Sequence, residues 1–88
     1  GRTLRAGVIG AGVFGGYHAR QYAGRDDVSF VGVFDPDAAA AQAVGGRVFA
    51  SVEALLAEVD VVSITSPAVF HAEQGLAAVA AGRHVYVE

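Results

Sequence analysis

The sequence predicts an α/β fold, a doubly wound parallel sheet with helices on both faces. Three observations carry that prediction. Short Val/Ile/Phe-rich runs alternate with alanine-rich, helix-like stretches along all 88 residues, the order that builds βαβ units. The runs are nearly continuous in apolar character, as strands buried on both faces are. Between the first run and the first helical stretch stands Gly10-Ala11-Gly12-Val13-Phe14-Gly15, a G-x-G-x-x-G, and the second run ends on Asp35, twenty positions beyond Gly15. A lone G-x-G-x-x-G carries little weight in a chain rich in Gly and Ala. Strand, glycine turn, helix, strand and acid together are far more specific.

Taken in order, Leu4–Ile9 is the first strand and Val13–Ala23 the first helix, with Gly24 past its end. Val28–Phe34 is the second strand. Asp35-Pro36-Asp37 turns into an alanine-rich helix over Asp37–Val44, closed by Gly45-Gly46. Val48-Phe49 is a short third strand. Ser51 caps a helix running to about Glu58, with Glu53 in the first turn, where the helix dipole favours an acid. Asp60–Thr65 is the fourth strand, and Ser66-Pro67 breaks it. A last helix runs from Val69 to Ala81 with Gly82 beyond it, and His84–Val87 is the fifth strand. Right-handed crossovers then give strand order 3-2-1-4-5, with a crevice at the carboxyl ends of strands 1 and 4 where the order reverses. That topology gathers Gly10–Gly15, Asp35 and Thr65–His71 along one edge.

Composition narrows the function classes. Residues 1–88 make one small domain, 53% hydrophobic and 17% charged, which forms a core rather than a disordered chain. A net charge of −3 with six scattered arginines argues against a nucleic-acid surface. No apolar run approaches the roughly 20 residues of a membrane span, and Leu4–Val13 is too short and glycine-rich for a signal-peptide core. The absence of cysteine excludes disulfides, thiolate metal sites and Cys nucleophiles, and agrees with a cytoplasmic location. There is no lysine for Schiff-base or acid–base work, and no methionine, so the chain reads as a fragment truncated after strand 5. As a fragment it is expected to be marginally stable or prone to association through the strand edge at Val85-Tyr86-Val87.

The glycine spacing has a chemical reading: this is a dinucleotide-binding, Rossmann-type half. Gly10 makes the tight turn, Gly12 lets the backbone approach a pyrophosphate, and Gly15 lets the helix pack closely on the sheet. The pyrophosphate would sit on the N–H groups of the helix start, which needs no basic side chain; none occurs between Arg5 and Arg20. Asp35 at the end of strand 2 would accept the adenosine ribose hydroxyls and repel a 2′-phosphate. No Arg or Lys follows at Pro36 or Asp37, so NAD is expected in preference to NADP. The bland reading of Asp35 is a cap for the next helix, with Pro36 at its first position.

Four segments, in this order, resemble the amino-terminal cofactor domain of the glucose-fructose oxidoreductase and inositol dehydrogenase family over essentially the whole chain. They are Gly10–Ala19, with His18 three positions after Gly15; Val33-Phe34-Asp35-Pro36-Asp37; Ser66-Pro67-Ala68-Val69-Phe70-His71-Ala72-Glu73, similar to the family's T-P-N-x-x-H-x-E; and Ala81–Glu88, similar to the A-G-K-H-V-x-x-E that leads into E-K-P. Ala68 stands where the family usually has Asn, and Ser66 where it has Thr.

The resemblance implies that the turn Gly10, Gly12, Val13, Phe14 and Gly15 holds the pyrophosphate. It implies that Ser66, Pro67, Ala68 and His71 line the cofactor, and that Glu88 lies near the nicotinamide ribose. It also implies a second, carboxyl-terminal domain that carries a small-molecule substrate and the proton donor, in a homo-oligomeric parent. The activity implied is hydride transfer between a nicotinamide cofactor and a hydroxyl- or carbonyl-bearing carbon of a sugar, polyol or related molecule. Rival readings are a non-catalytic dinucleotide sensor, an NAD-dependent glycosidase of the same fold, and a generic Rossmann domain for CoA or a flavin. The last is disfavoured by Asp35 and the Ser66–His71 match. No catalytic residue is assigned within the chain: His71, in a helix's first turn, reads as structural or cofactor-contacting rather than as a proton carrier. His18 and His84 read as packing residues, and three scattered histidines make no metal site.

Overall fold

A computed structural model describes residues 3–66 and 68–87. In chain order these form β1 (Leu4–Ile9), α1 (Val13–Ala23), β2 (Val28–Phe34), α2 (Ala38–Val44), β3 (Arg47–Val48), α3 (Val52–Leu56), β4 (Val61–Ile64), a 3₁₀ turn (Ala68–Phe70), α4 (His71–Ala80) and β5 (His84–Val87). The strands make one parallel sheet in the order β3-β2-β1-β4-β5. The predicted doubly wound topology is therefore present, with its switch between β1 and β4.

The sheet separates two apolar layers. On one face Ile9, Val62 and Ile64 pack with Leu55 and Leu56 of α3 and Ala78 of α4. On the other, Val8 and Val33 pack with Ala19 of α1 and Ala41 of α2. Both layers sit on the buried parts of the strands, which is why those parts are nearly continuous in apolar residues rather than alternating. Ser63 on β4 is the buried polar residue among those described, at 0% exposure. Its hydroxyl shares a short hydrogen bond with the Tyr22 hydroxyl at the far end of α1, which removes the cost of a lone buried polar group.

One irregularity sets the carboxyl edge. Ala6 pairs with Phe30 but Gly7 pairs with Gly32, so Val31 is an extra residue in β2. A bulge of this kind reverses face parity downstream. Phe30 and Val33 consequently share the α1/α2 layer, while Val31 and Phe34 pack against the α3/α4 layer.

The ends of several elements differ from the sequence reading. β3 covers Arg47–Val48 rather than Val48-Phe49, although the Phe49 N–H still reaches the Val33 carbonyl at 2.9 Å. α3 stops at Leu56: the Asp60 N–H that a further turn would bring to the Leu56 carbonyl goes to the Arg5 carbonyl at 2.7 Å, and Arg83 Nε–H donates to the Leu56 carbonyl at 2.7 Å. β4 is trimmed to Val61–Ile64, with the Asp60 and Thr65 N–H groups each adding one backbone bond to β1. The helix predicted from Val69 begins as a 3₁₀ turn and becomes α-helical at His71. There the His71 ring takes the Ser66 carbonyl and tightens the entry.

Candidate functional site

The glycine turn is shaped by two close approaches and one open space. Gly10 has φ +103°, and a Cβ there would lie 2.6 Å from the Ser66 nitrogen; only glycine fits. At Gly15 a Cβ would lie 1.9 Å from the Gly10 carbonyl oxygen, so the first turn of α1 rests directly on the turn. Gly12 is different. Its φ of −72° suits any residue, it is exposed, and a Cβ would meet nothing within 4 Å. Among the described residues neither strain nor packing calls for glycine here. What a Cβ would occupy is the approach to the start of α1, where Gly12 is the N-cap, no side chain caps the helix and no acid sits in the first turn. By contrast, α2 is capped by Asp37 and α3 by Ser51. An uncapped helix start behind an open glycine is a ready-made anion cradle.

Asp35 stands beside this cradle. Its Oδ2 accepts the Ala11 N–H and its Oδ1 the Asp37 N–H, both at 2.8 Å. A carboxylate has about four acceptor positions, so capacity remains for two hydroxyls. The helix cap considered for Asp35 belongs instead to Asp37, whose Oδ1 accepts from the Ala39 and Ala40 N–H groups; Asp35 only steadies the turn leading into it. Across the switch, Thr65 Oγ1–H donates to the Gly10 carbonyl at 3.0 Å. The Ser66 hydroxyl donates to Gln74 Oε1, and His71 Nε2–H donates to the Ser66 carbonyl.

Between these segments lies a cavity of about 290 Å³ lined by Ile9, Gly10, Phe34, Asp35, Pro36, Ser66, Phe70 and Gln74. Its walls are mostly apolar, with Asp35, Ser66 and Gln74 as the polar members. Such a pocket suits a flat, largely apolar ring carrying a few hydrogen-bonding groups.

Of the residues proposed from sequence, Gly10, Asp35 and Ser66 line this cavity together, and Gly12 and Gly15 form the adjoining cradle. Val13 and Phe14 enter through the backbone of the first turn of α1, and Ala68 through the 3₁₀ turn. Their side chains, together with Pro67 and Glu88 as a whole, lie outside the described residues. His71 is not part of the lining; its ring holds the loop after β4. Sequence reasoning placed Thr65 and Phe70 on this edge within the segment Thr65–His71, and missed Ile9, Phe34, Pro36 and Gln74 as lining residues. Gln74 carried a usable signal, since it follows Phe70 and His71 at helical i+4 and i+3 spacing and so shares their face.

Among the described residues no cluster of His, Asp or Glu side chains could hold a metal ion, and no helix is long and apolar enough to cross a membrane.

Comparison with known proteins agrees with this geometry. The family described as oxidoreductase family, NAD-binding Rossmann fold, matches residues 4–88. The chain is 44% identical over 89 residues to UDP-N-acetylglucosamine 3-dehydrogenase of Acidithiobacillus ferrooxidans, covering 97% of this chain and 28% of that protein. The solved structure of that enzyme superposes with a TM-score of 0.91 at 43% identity, over 97% of this chain and 29% of its own. Inositol 2-dehydrogenase of Rhizobium meliloti is 35% identical over 98% of this chain and 28% of its own length. GenD2 from gentamicin A biosynthesis, solved in complex with NAD, has a TM-score of 0.92 at 30% identity, over 99% of this chain and 27% of its own. The chain thus spans about 28% of the length of the curated relatives it matches.

Proposed function

Because this chain belongs to the oxidoreductase family with an NAD-binding Rossmann fold, we propose that it is the cofactor half of a dehydrogenase acting on a sugar, polyol or related small molecule. The reaction is hydride transfer between NAD and a carbon bearing a hydroxyl or carbonyl. The observation that carries this reading is Gly12: a glycine that nothing within the described chain requires, at the uncapped start of α1 and beside a carboxylate with spare acceptor capacity. In this reading the α1 N–H groups hold the pyrophosphate, and Asp35 takes the adenosine ribose hydroxyls. The apolar slot between Phe34, Pro36 and Phe70 receives the base. Ser66, held by Gln74, borders the same slot. NAD supplies the hydride chemistry.

The substrate-reading residues and the proton donor belong, in this proposal, to a further domain of the intact protein. The relatives are themselves named as dehydrogenases of a nucleotide sugar and of inositol, which supports the substrate class. A cytoplasmic location fits the cysteine-free sequence. A homo-oligomeric parent fits the apolar outer side of α4, where Leu76 and Val79 are 72% and 66% exposed.

Calorimetric titration of the intact protein with NAD and NADP, followed by NADH detection over a panel of sugars and polyols, tests the reading. Tighter NAD binding and NADH formation with at least one substrate are expected. NAD binding without turnover on any substrate would favour a sensor, and release of a glycosidic leaving group without net NADH would favour a glycosidase.

A further inference from the structure

One peptide unit of the glycine turn is gripped at both ends by side chains from different strands. The Gly10–Ala11 peptide presents its N–H to Asp35 Oδ2 at 2.8 Å and its carbonyl to Thr65 Oγ1 at 3.0 Å. Asp35 follows β2 and Thr65 follows β4, the two strands that flank β1 in the sheet. The Thr65 hydroxyl has one proton and two carbonyls in reach, since Ile9 O lies at 3.4 Å. Gly10 O is the nearer at 3.0 Å, and Ile9 O already receives the Thr65 N–H at 2.8 Å, so the main bond of the hydroxyl is to Gly10. That carbonyl is also the group on which Gly15 rests, so its direction sets the seat of the first turn of α1. Rotating the peptide would aim the carbonyl at the Asp35 carboxylate and leave both side chains without their partners.

We infer that Thr65 is a positioning residue for NAD binding. By holding the Gly10 carbonyl it fixes the Gly10–Ala11 peptide, and with it the placement of Gly12 and the α1 N–H groups that meet the pyrophosphate. This rests on the NAD reading above. Thr65 does not line the base cavity, so its influence falls on the pyrophosphate, through the cradle, and on the ribose, through the peptide that Asp35 also holds, and not on the base. A hydroxyl that merely stabilised the fold would affect all three alike.

The test uses the intact protein as wild type, Thr65→Val and Thr65→Ser, with dissociation constants for NAD and for adenine measured by calorimetry and by competition. Thr65→Val is expected to weaken NAD about tenfold, the scale of one hydrogen bond, while adenine changes less than about twofold, and Thr65→Ser restores NAD binding. Thr65→Ala gives the same comparison if valine does not pack. NAD affinity unchanged on losing the hydroxyl, parallel loss of NAD and adenine, or no rescue by serine would each overturn the inference. A wild-type protein that bound no NAD would instead overturn the nucleotide reading beneath it.

Discussion

A single methyl group added at Gly12 or at Gly15 should separate binding from folding. At Gly12 the new Cβ meets nothing within 4 Å and the backbone is already extended, with φ −72° and ψ −162°. Replacing glycine there restricts the unfolded chain, a gain of ~0.4–1 kcal/mol. The N-cap preference for Gly over Ala opposes it by a similar amount, so net stability should move by less than ~0.5 kcal/mol. The methyl nonetheless fills the approach to the start of α1, and NAD affinity should fall at least about tenfold, or ~1.4 kcal/mol. At Gly15 the Cβ would stand 1.9 Å from the Gly10 oxygen and 2.8 Å from its carbon, and that carbonyl cannot retreat while Thr65 holds it. Overpacking of this kind costs ~1–3 kcal/mol, and each kcal/mol lowers the melting temperature of a domain this size by about 4–8 °C. Gly12→Ala should therefore melt like wild type and bind poorly, whereas Gly15→Ala should melt early. Thermal denaturation paired with NAD titration reads both. A Gly12→Ala protein that binds NAD as tightly as wild type would refute the cradle, and an unshifted Gly15→Ala melt would refute the close approach.

Asp35→Ala should weaken NAD about tenfold and narrow the preference for NAD over NADP, because it removes both a ribose acceptor and the charge that repels a 2′-phosphate; an unchanged ratio of the two affinities would sink the assignment. For the buried pair, Tyr22→Phe strands the Ser63 oxygen at a cost of ~1–3 kcal/mol, Ser63→Ala costs ~1 kcal/mol, and the double variant should cost less than their sum; additive urea midpoints would deny the bond. The hydrogen bond from Arg25 holds the Asp27 carboxyl below the usual carboxylate range. A pKa lowered in the folded state contributes stability above its unfolded value that is lost as the pH falls through the folded one. Asp27→Asn should accordingly lower stability slightly at pH 7, a loss that fades as the pH falls below about 4 and the wild-type carboxyl takes up its proton; the effect is small because the pair is 61% and 66% exposed, and a loss at pH 3 as large as that at pH 7 would contradict this.

Much of the fold could be read from local chemistry. β1, α1, β2 and β5 have the bounds their apolar runs and flanking glycines predict, because each signal sits within its own segment. β3 could not be read so well. Two residues at a sheet edge have no periodicity, and their register is decided by Gly32, where a Cβ would lie 2.1 Å from the Arg47 carbonyl oxygen. The start of α4 escaped for a similar reason: the His71 ring reaches back to the Ser66 carbonyl, and no propensity reports a side chain's choice of partner.

The site divides along the same line. The residues alone determined a glycine turn after a strand, a helix start without a basic or acidic side chain, and an acid at the end of the next strand. Each follows from what a close backbone approach and an anion require. Tertiary structure decided the rest. The extra residue Val31 turned Phe34 towards the α3/α4 layer. The sheet order set Thr65 against Gly10 across 55 positions of chain, and Asp35 against Ala11 across 24. The Thr65–Gly10 pairing joins groups from separate βαβ units, and a parallel sheet brings such groups together only when its strands have registered.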